Sequence, residues 1–178
     1  MAMAIAIGEV APDFRIKGTD GNSYDFPGLA GDSATALIFW CNHCPYVIAN
    51  QDRVIAMQAD YRARGVRFAD VCSNNADVYP QDDFDNMRRR AQEKKYNFPY
   101  LHDENQEVAR TFGAQRTPEV FLFDAAKRLR YHGRIDDNHQ DASLAKSHDL
   151  RRAIDAVLAG QEPDPSETGV IGCTIKWK

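Results

Sequence analysis

The sequence predicts a single α/β domain, residues 1–178, with a central mixed β-sheet flanked by helices. The apolar run Ala34–Trp40 lacks alternation, which is typical of a strand buried on both faces. After Pro45 the apolar residues follow helical spacing, and Val66–Cys72 reads as a second strand. Strand–helix–strand units followed by a hairpin and a terminal helix are typical of a layered sheet.

The remaining elements extend this pattern at both ends. Residues 1–32 form an N-terminal extension, predicted as a hairpin with strands at 13–17 and 24–29 around a turn-rich stretch. Downstream we expect helices at 82–95, 105–112 and 147–158, and strands at 100–101, 119–123 and 129–132. Residues 160–178 form a Pro-rich C-terminal tail.

Charge and hydropathy exclude several classes of partner. The chain has 22 basic and 26 acidic residues, a net charge of −4, which makes nucleic acid a poor partner. No segment approaches the roughly 20 apolar residues of a membrane helix, and the N-terminus lacks the basic region of a signal peptide. We therefore expect a cytoplasmic protein with no nucleic-acid or membrane partner.

The stretch FWCNHCP carries the chemistry, because it places Cys41 and Cys44 three positions apart between a strand and a helix. Free N–H groups and the helix dipole at that junction favour a thiolate, which is the nucleophilic form of cysteine. We expect Cys41 to be the more exposed sulfur and Cys44 the more shielded one. His43 between them could stabilise a thiolate further, or face solvent with no effect.

Two further cysteines are open to other interpretations. Cys173, in the tail, is either a third, resolving thiol folded over the active site or a small residue in a strand anchored by Ile175 and Trp177. Cys72 ends a predicted buried strand and is expected to be a small core residue.

A metal site is the main alternative use of the motif. The two motif cysteines and His43 are three candidate ligands, and Cys173, His132 or His139 could supply a fourth. A structural zinc site usually shows two paired ligand groups, and only one is visible here. We therefore predict no metal and no other cofactor.

Several motifs together resemble the thioredoxin-fold superfamily, in its AhpC/TSA branch of peroxiredoxin-like and TlpA-like proteins. Trp40 precedes the C-x-x-C, RTPEV resembles the cis-proline loop of that fold, and GEVAPDF resembles the opening of the branch. The segments NHCPYV, GRIDDN and GCTIKW are similar to a thioredoxin-like subfamily with the CNHCP motif. The resemblance implies that Thr117 and Pro118 lie beside the dithiol and shape a substrate groove, and that Trp40 walls it.

These observations favour a thiol–disulfide oxidoreductase. In this hypothesis Cys41 attacks the disulfide of a protein or small-molecule substrate, and Cys44 resolves the mixed disulfide. A reductant such as thioredoxin or glutathione would then restore the dithiol.

The leading alternative is a peroxiredoxin-like thiol peroxidase with Cys173 as resolving thiol. The peroxidase signature P-x-x-x-[TS]-x-x-C fails when counted back from Cys44, because Cys41 and Leu37 occupy the hydroxyl and proline positions. It also fails when counted back from Cys41. The helix start at Cys44-Pro45 nevertheless resembles the setting of a peroxidatic cysteine. A third hypothesis is a non-enzymatic redox sensor or binding module.

Overall fold

The computed structural model describes residues 4–178, in which a seven-stranded mixed sheet carries helices on both faces. In chain order the main elements are β1 (Arg15–Gly18), β2 (Ser23–Asp25), α1 (Phe26–Leu29), β3 (Ala34–Trp40), α2 (Pro45–Tyr61), β4 (Val66–Cys72), α3 (Phe84–Glu93), β5 (Tyr100–His102), α4 (Glu107–Phe112), β6 (Arg116–Thr117), β7 (Glu119–Asp124), β8 (Leu129–Gly133), α5 (Asp149–Leu158) and β9 (Cys173–Thr174). The strand order of the large sheet is β2-β1-β5-β4-β3-β7-β8, which confirms the predicted fold class.

Strand β3 lies at the centre of the core, because it pairs in parallel with β4 and antiparallel with β7. All seven of its residues are buried. Ile38 and Trp40 join the apolar cluster beneath α2 and α5, whereas Leu37 and Phe39 join the cluster beneath α1 and α4. Cys41, which follows the strand, belongs to the cluster on the α2 face.

The N-terminal hairpin is present, but its second strand is shorter than predicted. Strand β2 ends at Asp25, and α1 replaces the predicted strand over residues 26–29. The Asp25 carboxylate accepts a hydrogen bond from Gly28 N at 2.7 Å, and Pro27 lies in the first turn. An acidic N-cap followed by a proline that needs no N–H partner starts a helix.

The tail contains a short strand, as one of the two interpretations of Cys173 expected. Strand β9 pairs antiparallel with β6, with Thr117 opposite Cys173. Gly172 permits this close approach, since a Cβ there would lie 2.2 Å from the carbonyl oxygen of Thr117. Across residues 4–178, no helix is both long and apolar enough to cross a membrane.

Candidate active site

The two motif cysteines lie where β3 passes into α2. Cys44 is the N-cap residue of α2, and Pro45 occupies the first turn, where its missing N–H leaves no bond unmade. Cys41, Cys44, Cys72 and Cys173 are all free thiols. Cys41 is 1% exposed and Cys44 0%, so both residues are buried and the expected difference in their exposure is not seen. Both sulfurs lie beneath chain segments that approach from outside the motif.

The first of these segments is the loop around Pro118. Cys41 Sγ lies 3.6 Å from Thr117 Oγ1, and Cys44 Sγ lies 3.3 Å from the carbonyl oxygen of Thr117. The Thr117–Pro118 peptide bond is cis. The structure therefore brings Thr117 and Pro118 beside the dithiol, where the resemblance placed them.

The second segment is the tail, which brings Cys173 to Cys44. Cys173 pairs with Thr117 across the β6–β9 ladder and packs against the apolar cluster that contains Cys44. Cys173 itself is half-buried, so it is the most accessible of the three thiols around the site. The interpretation that the tail folds over the active site thus agrees with the geometry.

The hydrogen bonds around the pair shift the pKa values of its two thiols in opposite directions. The Cys41 thiol donates to Cys44, which is the main reason that the pKa of Cys44 is lowered; burial opposes this, and Cys173 and the N–H of Val47 support it. The same bond, followed by burial and the negative charge of Asp82, raises the pKa of Cys41. As a thiol, Cys44 donates to the Thr117 carbonyl, which favours its neutral form. The balance favours a thiolate on Cys44 and a thiol on Cys41.

A buried carboxylate that sequence reasoning missed lies behind the motif. Asp82 is fully buried, and its Oδ1 accepts a hydrogen bond from Asn42 N at 2.7 Å. Its Oδ2 accepts one from Asn74 Nδ2 at 2.8 Å and lies 2.5 Å from His43 Nδ1. The His43 ring also stacks on Tyr79. The side chain of His43 is therefore held against a carboxylate, and its predicted effect on a thiolate stays a prediction.

No local signal could have identified Asp82. It lies 40 positions from Asn42, and its bond to the motif depends on how the segment after β4 folds back. It follows Pro80 in a short 3₁₀ turn before α3, a context in which acidic residues are common on the surface.

A second buried acid, Asp70, lies in β4. Neighbouring residues of a strand point to opposite faces of the sheet. Ala69 and Val71 join the cluster on one face, so Asp70 lies on the other face with Phe68 and Cys72. Both carboxyl oxygens are buried and have no hydrogen-bond partner among residues 4–178. Burial raises the pKa of Asp70 well above its ordinary value, so the acid is held towards its neutral form.

Trp40 and Cys72 belong to the core. Trp40 is 0% exposed, and its Nε1 donates to the hydroxyl oxygen of Tyr96 at 3.2 Å. The ring therefore supports the site from beneath and does not wall an open groove, because β3 is buried on both faces. Cys72 is also 0% exposed, which confirms the prediction that it is a small core residue.

One cluster has the donor types of a metal site. Candidate ligand atoms of Cys41, His43 and Asp82 lie within 4.8 Å of one another, and they combine sulfur, nitrogen and oxygen donors suited to zinc. His132, considered from the sequence as a fourth ligand, instead bonds to Glu119 at 2.8 Å. The three clustered residues could hold a metal.

Comparisons with known proteins agree with this architecture. Residues 7–132 match the AhpC/TSA family. The structure of an uncharacterized conserved protein from Geobacillus kaustophilus shares 38% identity, with a TM-score of 0.92 over 97% of this chain and 93% of that chain. A hypothetical protein from Sinorhizobium meliloti 1021 shares 33% identity, with a TM-score of 0.92 over 98% of this chain and 96% of that chain.

A more distant structure shares the fold. The thioredoxin domain of a thiol-disulfide oxidoreductase from Bacteroides vulgatus has 16% identity and a TM-score of 0.60 over 71% of this chain and 86% of that chain. None of the curated proteins matches the sequence. The match over residues 7–132 and the two close structural relatives together show that the chain belongs to the AhpC/TSA family, and that it has a thioredoxin fold.

Proposed function

We propose that this protein is a thiol–disulfide oxidoreductase that cycles Cys41 and Cys44 between a dithiol and a disulfide. The observation that carries the proposal is that both sulfurs lie against Thr117 at the start of α2, with Cys41 Sγ 3.6 Å from Thr117 Oγ1 and Cys44 Sγ 3.3 Å from the Thr117 carbonyl oxygen. The interaction between the two thiols lowers the pKa of Cys44 and raises that of Cys41. A dithiol with one stabilised thiolate is the arrangement that thiol–disulfide exchange requires.

The pKa directions favour roles opposite to those expected from the sequence. Cys44 carries the thiolate, so it attacks one sulfur of the substrate disulfide and releases the other as a thiolate. Cys41 then gives up its proton to a departing thiolate and attacks the Cys44 sulfur. This step releases the second substrate sulfur as a thiolate, which takes a proton from water, and leaves the Cys41–Cys44 disulfide.

The surroundings support a thiol or disulfide substrate. The Thr117 backbone lies next to Cys44, and in a thioredoxin fold the loop at this place meets the substrate chain. A protein or small-molecule disulfide is the proposed substrate. A cytoplasmic reductant such as thioredoxin or glutathione is proposed to return the pair to the dithiol form.

Single cysteine variants test the proposal in a catalytic insulin-reduction assay. Cys44→Ser should abolish turnover. Cys41→Ser should also abolish turnover, and in this variant Cys44 should remain in a mixed disulfide that is cleaved only by added reductant. Cys72→Ser is the matched control, because Cys72 lies in the core away from this exchange. Wild-type turnover in either motif variant would refute the proposal.

A thiol peroxidase is the second candidate. Cys44 followed by Pro45 at a helix start, in a chain of the AhpC/TSA family, favours this alternative. In that reaction Cys44 would become a sulfenic acid and Cys41 or Cys173 would resolve it. Consumption of hydrogen peroxide by the reduced protein, faster than its exchange with disulfides, would support the peroxidase over the oxidoreductase.

A further inference from the structure

The C-terminal tail runs through the place where a substrate chain would lie. Strand β9 pairs antiparallel with β6, and its register puts Cys173 directly opposite Thr117, the residue before Pro118. Addition of an extended segment to an exposed strand edge is a common way to bind a peptide. Here the chain supplies that segment itself, and its Cys173 packs against the apolar cluster that contains Cys44, opposite the residue whose carbonyl oxygen lies 3.3 Å from Cys44 Sγ.

The tail is anchored on both sides of Cys173. Before it, Arg116 Nη1 donates to the carbonyl oxygen of Gly172 at 2.9 Å. After it, Ile175 N donates to the carbonyl oxygen of Gln115 at 2.9 Å, and the Ile175 side chain is 3% exposed within the core. The segment is therefore a fixed part of the folded domain.

After β9, main-chain hydrogen bonds of Lys176 attach the tail to the rest of the domain. Lys176 N donates to Asn74 Oδ1 at 2.8 Å, and the Lys176 carbonyl oxygen accepts from Asn75 N at 2.7 Å and from Gln106 Nε2 at 2.9 Å. The ring of Trp177, in contrast, is 38% exposed. Backbone hydrogen bonds and Ile175 supply the anchoring that the sequence assigned to Ile175 and Trp177.

This arrangement closes the Cys41–Cys44 pair to large molecules. The two residues are 1% and 0% exposed, whereas Cys173 is half-buried at the surface. A neighbouring cleft of about 690 Å³ reaches Asn42 and His43, but among the residues described neither sulfur lines it. A partner that approaches the folded protein meets Cys173 first.

We propose that Cys173 is the thiol through which external disulfides and thiols exchange with the buried pair. This inference rests on the proposed function and replaces its first step, the direct attack of Cys44 on the external disulfide, by attack of Cys173. The tail thus acts as an internal substrate strand. The partner class is a disulfide or thiol that can reach a half-buried cysteine at the surface.

The exchange balances in three steps. Cys173 attacks one sulfur of the external disulfide and gives its proton to the sulfur that leaves, which forms a mixed disulfide on Cys173 and one external thiol. The Cys44 thiolate attacks the Cys173 sulfur and expels the second external thiolate. Cys41 gives its proton to that thiolate and attacks Cys44, which releases Cys173 as a thiolate that takes a proton from water. Two electrons leave the Cys41–Cys44 pair, and two external thiols form.

The test is the rate at which glutathione disulfide oxidises the reduced full-length protein. Cys173→Ser is expected to slow formation of the Cys41–Cys44 disulfide about tenfold or more, because the intramolecular step is lost. In Cys44→Ser the glutathione adduct should map to Cys173 by mass spectrometry. In Cys41→Ser a Cys44–Cys173 disulfide should accumulate. Equal rates for wild type and Cys173→Ser, or an adduct on Cys41 in Cys44→Ser, would overturn the proposal.

A second variant tests whether the tail covers the pair. Gly172→Ala places a Cβ against the carbonyl oxygen of Thr117 and should displace β9, whereas a Cβ at Gly169 would meet no neighbouring atom of the described residues within 4 Å. Added to Cys173→Ser, Gly172→Ala should restore fast oxidation by opening the direct route, and Gly169→Ala should not. A slow Gly172→Ala double variant would contradict the covering role.

These outcomes are separable from failure of the proposed function. Diamide, a small thiol oxidant, should form the Cys41–Cys44 disulfide in Cys173→Ser as well as in wild type. If diamide forms that disulfide but Cys173→Ser shows no slowing with glutathione disulfide, only the entry role of Cys173 is refuted. If no Cys41–Cys44 disulfide forms in wild type, the proposed function and the relay built on it both fail.

Discussion

The substitution Asp82→Asn tests how much the buried carboxylate behind the motif contributes to stability. Asp82 is 0% exposed and accepts hydrogen bonds from Asn42 N and Asn74 Nδ2 on its two oxygens. An asparagine side chain offers only one oxygen, so one of these donors would face an NH₂ group. Losing a hydrogen bond to a charged group costs about 1.5–3 kcal/mol, and an unmatched buried donor about 1–3 kcal/mol. Because these costs overlap, we expect the free energy of unfolding to fall by about 2–4 kcal/mol.

The matched control is the same change at the next residue. Asp83 is the N-cap of α3 and accepts a hydrogen bond from Asn86 N at 2.7 Å. Asparagine caps helices about as well as aspartate, so Asp83→Asn should cost no more than about 1 kcal/mol. Guanidinium unfolding of the reduced proteins, followed by circular dichroism, measures both. An Asp82→Asn variant as stable as Asp83→Asn would refute the assigned role of the carboxylate.

Three further predictions follow from the pKa directions. Cys41→Ala removes the main interaction that lowers the pKa of Cys44, so the ultraviolet absorbance of the Cys44 thiolate should appear at higher pH. An unchanged midpoint of that absorbance titration would contradict the role given to Cys41. Since the pKa of Cys44 is lowered on folding, its contribution to stability is present above the unfolded thiol pKa and is lost as pH falls through the folded one. The difference in unfolding free energy between wild type and Cys44→Ser should therefore shrink from pH 8 to pH 4, and a constant difference would count against it. The pKa of Asp70 is raised instead, so its ionisation favours unfolding as pH rises. Asp70→Asn should therefore stabilise the protein more near pH 7 than near pH 4, and an equal gain in unfolding free energy at both would argue against it.

The central strands and the dithiol were predictable because their signals are local. The apolar runs of β3 and β4 have the bounds seen in the structure, and a cysteine pair at a strand–helix junction is visible in seven consecutive letters. The place of Thr117 beside the pair came from resemblance to a family, since no spacing in the sequence connects it to Cys41.

The features that could not be predicted from the sequence depend on contacts between segments that are distant along the chain. Asp82 acquires its role by folding back on Asn42, and β9 exists only because β6 offers it an edge. Cys41 is buried and not exposed as predicted for the same reason, since the tail and the loop around Thr117 cover it and both lie far from it in the sequence. A strand of two residues such as Cys173–Thr174 carries no periodicity that a sequence pattern could detect.

The most direct measurement is a redox titration of the full-length protein across glutathione buffers of defined potential. Differential alkylation with mass spectrometry would follow each cysteine separately. The proposed function predicts that Cys41 and Cys44 lose and regain alkylation together, at one midpoint and with the slope of a two-electron couple. Cysteines that stay fully alkylated at every potential would contradict it. So would a sulfenic acid on Cys44 with Cys41 still free after exposure to peroxide.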